Sequence, residues 1–180
     1  MRIVAGRWRG REIGAPPGLG TRPTAARARE ALFSMLVARL GSFDGLRVLD
    51  LFAGSGALGL EALSRGAVHA RFVEQFAGPL GVLRRNITAL GAGDETDVLR
   101  AAVEKLGPAP TPHDLVFADP PYHMGLGPAA LTVLVNHGWL APGAWIVLET
   151  AHDDALPGWV AQATRDHGKA RLTLLRWPQP

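Results

Sequence analysis

With 180 residues, 47% of them hydrophobic, the chain can bury one good core and carry short appendages, so one domain spanning 1–180 is expected. No apolar run is long enough to cross a bilayer, the first residues lack a secretory leader pattern, and zero cysteines exclude disulfides, thiolate zinc sites and thiol nucleophiles. The net charge of +3 is unevenly spread: residues 1–29 hold seven arginines against one acid, Glu12, on an otherwise mildly acidic chain. Such an arm suits a polyanion, because the arginine fork pairs bidentately with phosphate; a solvated arginine-rich surface explains it equally well.

Residues 2–13 read as a short hairpin broken at Gly6. Arg2, Arg7, Arg9 and Arg11 around Trp8 suit nucleic acid, arginine meeting phosphate and the indole stacking on a base. Trp8 serves equally as an anchor to the core. Residues 14–23, rich in glycine and proline, read as a linker, so the hairpin and linker (1–23) precede a core at 24–180. Thr24 stands at the N-cap position of a helix over Ala25–Leu40, with Leu32, Leu36 and Leu40 on one stripe and Gly41 as the stop. Arg27 falls in its first turn, where the helix dipole disfavours a cation, which hints at a phosphate or carboxylate partner.

From there strands and helices alternate. Strands are expected at Arg47–Leu51, His69–Val73, Asp97–Leu99, Leu115–Ala118 and Ala144–Leu148. Helices are expected over Gly56–Ser64, from Pro79 to Leu90, and over Ala129–Asn136, with a short turn at Val103–Leu106. Two β-like runs, Trp159–Thr164 and Ala170–Trp177, flank a hairpin signal at Asp166-His167-Gly168-Lys169. The fold class is therefore α/β and Rossmann-like: a seven-stranded, mostly parallel sheet, covered on both faces, ending in an antiparallel hairpin.

The chemistry concentrates at two strand ends. Asp50-Leu51-Phe52-Ala53-Gly54-Ser55-Gly56-Ala57-Leu58-Gly59 is a strand, a glycine loop and a helix start, and Glu74 ends the next strand. The glycines match a dinucleotide fingerprint, with Glu74 spaced as a ribose-binding acid, so a nicotinamide oxidoreductase is a genuine alternative. Asp50 argues instead for S-adenosylmethionine: an anion at that point repels a pyrophosphate but accepts from an ammonium group. Asp119-Pro120-Pro121-Tyr122 is the sharper signal. Two prolines stiffen a loop with free carbonyls. Asp119 and the Pro120 carbonyl then accept the two hydrogens of an exocyclic amine while Tyr122 stacks on the base. The six histidines show no metal-ligand spacing, and no metal is expected.

Asp-Pro-Pro-Tyr resembles the signature of amino-group methyltransferases that act on nucleic acids. Together with Arg-Ile-Val-Ala-Gly-Arg-Trp-Arg-Gly-Arg (2–11), Arg22-Pro23-Thr24, Arg29-Glu30-Ala31-Leu32-Phe33 and the stretch from Asp50 to Leu63, it is similar to the bacterial 16S ribosomal RNA guanine-N2 methyltransferase family of the RsmD type, over essentially the whole chain. The resemblance implies a class I methyltransferase fold and S-adenosylmethionine as donor. It further implies one guanine of 16S ribosomal RNA as target, in naked RNA or a small-subunit assembly particle. On matching positions, Asp50, Phe52, Ala53, Gly54, Ser55 and Gly56 would hold the methionine end and Glu74 the ribose, with Asp119 also at the cofactor. Asp119–Tyr122 would hold the guanine, and Arg22 and Thr24 would border the cofactor's carboxylate. Arg2, Arg7, Trp8, Arg9, Arg11 and Arg27 would face RNA. Arg100-Ala101-Ala102 departs from the family's polar adenine contact and leaves that role unassigned. Adenine-N6 methylation remains the alternative within the class, since the tetrapeptide reads an NH2 rather than a purine; a non-catalytic RNA-binding module is the alternative outside it. A cytoplasmic monomer is expected.

Overall fold

Val48-Leu49, Phe72-Val73, Leu115–Ala118 and Ile146–Leu148 are apolar on consecutive residues, so the strands they form need cover on both faces. The computed structural model, which describes residues 1–16, 23–121, 124–152, 156–167 and 170–178, provides that cover. Arg22, Tyr122 and His123 lie outside the described residues, as does the side chain of Thr24. The strands are β1 (Arg47–Leu51), β2 (His69–Val73), β3 (Thr96–Leu99), β4 (His113–Ala118), β5 (Leu140–Ala151), β6 (Ala161–His167) and β7 (Ala170–Arg176). They form one sheet in the order β3-β2-β1-β4-β5-β7-β6, in which only the pairings of β7 are antiparallel.

Helices α1 (Pro23–Leu40), α2 (Ala57–Ser64) and α3 (Ala77–Leu90) accompany the sheet, with α4 (Leu126–Asn136) following β4. Leu32, Phe33, Leu60, Leu63 and Leu83 share one apolar cluster with Val48, Phe72, Phe117 and Val147. Leu131, Leu134 and Trp139 share another with Leu49, Val73, Val116 and Leu148. The pleat therefore sends alternate residues of β1, β2, β4 and β5 to opposite layers.

Several element bounds differ from expectation, and two of the differences, with the order of the last two strands, have clear physical reasons. Helix α1 begins at Pro23, so Thr24 sits inside the first turn rather than capping it; proline's fixed φ and missing N–H suit the first helical position. Strand β5 runs 12 residues because it pairs with β4 on one side and with seven residues of β7 on the other. In the terminal hairpin the last strand, not the sixth, lies against β5. Leu172, Leu174 and Leu175 of β7 are buried, while Gln162, Arg165 and Asp166 of β6 are exposed at the edge, where polar side chains discourage further pairing.

The N-terminal hairpin makes one isolated antiparallel bridge, Arg2–Glu12, in place of regular strands. The Ile3, Gly10 and Ile13 amides pair within the hairpin, and other donors are spent on α2. The Val4 and Ala5 amides donate to the two carboxylate oxygens of Glu61 at 2.7 and 3.0 Å, and the Trp8 amide donates to Ser64 Oγ at 3.0 Å. Gly6 (φ 80°) makes this close approach feasible, because a Cβ there would lie 1.7 Å from the Ser64 carbonyl oxygen.

Candidate active site

Four parallel strands carry an acid at or just beyond their carboxyl ends, Asp50 in β1, Glu74 after β2, Asp119 after β4 and Glu149 in β5, and the pleat puts all four toward the α1–α3 layer. Asp50 shares the parity of Val48, Glu74 of Phe72, Asp119 of Phe117 and Glu149 of Val147, each of which packs in that layer's cluster. The carboxyl ends of the strands are where open α/β sheets bind ligands. A cleft of about 430 Å³ opens there, with Asp50, Gly54, Glu74, Phe76, Asp119 and Pro120 among its walls.

The glycine loop is held open by its own backbone. Phe52 has φ 56°, a left-handed conformation that costs a non-glycine residue roughly 1–3 kcal/mol, and it turns the chain off β1 beside the cleft. Gly56 and Gly59 have a packing role: a Cβ on Gly56 would meet Leu83 at 2.3 Å, and one on Gly59 would meet the Phe72 ring at 2.4 Å. Helix α2 therefore lies closer to β2 than any side chain permits. Asn86, buried on α3, donates to the Ser55 carbonyl at 2.8 Å and accepts from the Gly14 amide at 2.7 Å, fastening the end of the N-terminal arm to the loop. Met1 and Pro16 thereby reach the cleft wall.

The carboxylates decide what the loop can bind. Asp50 is 2% exposed and accepts from the Gly59 amide, in the first turn of α2, at 2.9 Å. Glu74 is 6% exposed and accepts from Gly54 and Phe76 amides at 2.9 and 2.8 Å. The amides that a pyrophosphate needs are thus already engaged by the chain's own anions. A phosphate brought to ~4 Å from an ionised Asp50 would add about 4 kcal/mol of repulsion at an effective dielectric near 20. Neither a dinucleotide nor a solvated-acid reading of Glu74 fits this arrangement.

Burial pushes the Asp50 carboxyl up to about 8; the Gly59 amide opposes this, and neighbouring Asp119 and Glu74 add to it. Asp119 opens onto the cleft, yet the surrounding protein strips enough solvent to push its carboxyl up to about 7, with Glu149 adding to the effect. Three acids crowded this way seek a cation. Pro120 is buried and Pro121 exposed, both on the cleft.

The RNA-facing residues divide. Trp8 is a correction: it is 9% exposed in the core cluster, and the Arg7 guanidinium lies 4.1 Å over its ring, so it anchors the arm and cannot present a free face to a base. Arg7 also pairs with Glu95, Arg2 with Glu12, and Arg11 donates to the Ala89 carbonyl at 2.6 Å. Arg9 and Arg27 are exposed. The buried arginine is Arg29, 8% exposed, whose Nε stands 3.8 Å from Glu61. His113 is fully buried against Trp139 at the opposite end of β4 from Asp119.

Sequence reasoning passed over Glu61, Phe76 and Glu149. Phe76 is 58% exposed at the cleft wall, where a large apolar ring has no structural reason to stay wet. Glu149 carried a readable signal: like Asp50, Glu74 and Asp119, it follows a buried apolar run.

This sheet order, with a glycine loop facing an Asp-Pro-Pro corner across a cation-seeking cleft, defines a class I methyltransferase. Residues 1–176 match the family described as "Conserved hypothetical protein 95". The chain is 41% identical over 157 residues to the ribosomal RNA small subunit methyltransferase D of Escherichia coli (strain K12), covering 87% of this chain and 78% of that protein. It is 39% identical over 160 residues to the Haemophilus influenzae protein of the same name, covering 87% and 81%. The solved putative methyltransferase yhhF from Escherichia coli superposes with a TM-score of 0.87 at 37% identity, over 100% of this chain and 99% of that one. The chain belongs to this family, that of the ribosomal RNA small subunit methyltransferase D proteins. Among the described residues no helix is long and apolar enough to cross a membrane.

Proposed function

We propose that the protein transfers a methyl group from S-adenosylmethionine to the N2 amine of one guanine in 16S ribosomal RNA, working as a single-domain cytoplasmic monomer on naked RNA or an assembling small subunit. The observation that carries this is the convergence of Asp50, Glu74 and Asp119-Pro120 on one cleft. The residues fit such a cofactor along its length. Asp50 accepts from its ammonium, Gly54, Ser55 and Gly56 line the methionine end, and the spare lone pairs of Glu74 accept from the ribose hydroxyls. Phe76 and Val103, both on the cleft wall, would flank the adenine, and the backbone near Ala101 would be left to meet its edge. By the family resemblance, Arg22 and Thr24 would border the cofactor's carboxylate.

When bound, the cofactor supplies an electrophilic methyl on a sulfonium. Asp119 and the Pro120 carbonyl draw the two amine hydrogens into hydrogen bonds, which pulls the nitrogen out of conjugation and aims its lone pair at that methyl. Asp119 would then take the proton that the amine sheds on gaining the methyl group. The base reaches this corner by leaving its stack and lying against Tyr122. Arg9 and Arg27 hold phosphates, with Arg2, Arg7 and Arg11 supplying background positive charge through paired side chains.

Tritiated cofactor, 16S RNA and small-subunit proteins test the proposal: label is expected on N2 of one mapped guanine. Label on adenine, or none in either RNA or particle, overturns it.

Asp50 gives the cofactor step a pH signature. Its folded carboxyl lies near 8 against an ordinary 3.8, so the empty protein holds a proton that the unfolded chain releases. That stabilisation is complete below about 4 and is lost as pH rises through about 8. A ligand ammonium requires the ionised form, so binding at pH 7 is expected to release close to one proton. Its affinity should rise toward tenfold per unit between pH 6 and 8. Calorimetry in two buffers of different ionisation heat measures the release; no release, or uptake, refutes the pairing of Asp50 with the ammonium.

A further inference from the structure

Beside the main cleft lies a second cavity of about 290 Å³, which shares Ala57, Leu58 and Asp119 with it. Leu32, Leu58, Val147 and Leu172 give it apolar walls, and Glu149 adds a second carboxylate beside Asp119. The register explains the juxtaposition. Phe117 pairs with Val147 and Ala118 with Leu148, so Asp119 and Glu149 are the next two residues of neighbouring parallel strands and point to the same side. The cavity, which Arg29 also lines, therefore pairs apolar walls with two carboxylates side by side at the mouth of the donor cleft.

Guanine matches that pattern. Its Watson–Crick edge presents N1–H directly beside the N2 amine, two adjacent donors. Adenine presents an unprotonated N1 beside its amine, an acceptor where guanine has a donor. We propose that Glu149 is the residue that selects guanine: it accepts the N1–H of the base in this second cavity while Asp119 and Pro120 hold the amine. The assignment rests on the guanine-N2 reading above and deepens it, because the tetrapeptide alone reads only an amine. With an adenine in this cavity, the Glu149 oxygen would face the N1 lone pair, two acceptors without a proton between them. Buried hydrogen-bonding sites reject such mismatches strongly.

The test uses 2-aminopurine, which keeps the C2 amine but has no proton on N1. Small-subunit RNA is ligated to carry guanine or 2-aminopurine at the labelled position, in whichever form, naked or assembled, accepts methyl. The wild-type protein is expected to favour guanine by about 100-fold or more in kcat/KM. Glu149→Gln, whose amide can turn to donate to N1, is expected to narrow that ratio at least tenfold. Glu149→Asp, which keeps an acceptor, retains the preference at a lower rate. The comparison is a ratio within each variant, so a loss of folded protein cancels. An unchanged ratio in Glu149→Gln overturns the role of Glu149 alone. A wild-type protein that methylates neither RNA overturns the guanine-N2 reading beneath it.

Discussion

Replacing Asp119 with alanine is expected to lower methyl transfer about a thousandfold while the affinity for S-adenosylmethionine stays within a few-fold of wild type. The amine of a nucleobase is planar and unreactive because its lone pair is shared with the ring. Asp119 and the Pro120 carbonyl together oppose that planarity, and a carbonyl alone cannot hold both hydrogens. Losing one preorganised polar partner in a water-poor site costs roughly 10²–10³ in rate. Loss of the proton acceptor should carry the effect to the upper end of that range. Cofactor affinity is spared because the ammonium and ribose partners proposed for it, Asp50 and Glu74, are on β1 and just beyond β2. A second readout comes from pH. The Asp119 carboxyl sits near 7, so wild-type kcat/KM should climb as pH passes through that value and the acceptor ionises. Asp119→Asn should remove the climb along with most of the rate. Single-turnover transfer and equilibrium binding separate the two parameters; a variant that loses cofactor affinity in step with rate would place Asp119 in the donor site rather than at the target amine.

Glu61→Ala is expected to be the most destabilising single change in the chain outside the catalytic corner. Glu61 is 0% exposed, yet it is satisfied on every side: the Val4 and Ala5 amides donate to it, Arg65 Nε donates at 2.8 Å, and Arg29 Nε stands at 3.8 Å. Truncation leaves two part-buried amides without their acceptor and the buried Arg29 guanidinium without its counter-charge. Breaking a buried pair from one side costs about 3–5 kcal/mol, which for a chain of this length lowers the melting midpoint by roughly 10 °C. Adding Arg29→Leu to Glu61→Ala should recover part of the loss, because it removes the stranded charge. A midpoint within about 2 °C of wild type for the single variant would show that the arm is held by its apolar contacts, Ile3, Trp8 and Ile13, instead.

Much of the frame was legible because local rules and tertiary demands agree there. Strands β1 and β2 have the bounds expected of them, because Val48-Leu49 and Phe72-Val73 are consecutive apolar pairs that need cover on both faces. The glycine loop and the Asp-Pro-Pro corner were legible because their chemistry is local: a turn needing positive φ at Gly54 and Gly56, and prolines whose stiffness needs no neighbour. Trp8 misled because an indole among arginines has the same composition whether it meets RNA or core. Only the acceptors of Glu61 and Ser64, more than 50 positions away, fold the arm inward.

The sequence by itself therefore determined the alternation of strands and helices, the acids Asp50, Glu74 and Asp119 at three strand ends and the two stiff corners, since each follows from side-chain periodicity or backbone chemistry within a few residues. Only the tertiary structure decided which of those acids share a cavity, that β7 rather than β6 lies against β5, and that most arm arginines are already paired. Each of these depends on register between segments far apart in the chain, and a one-residue slip in pairing turns every side chain to the other face.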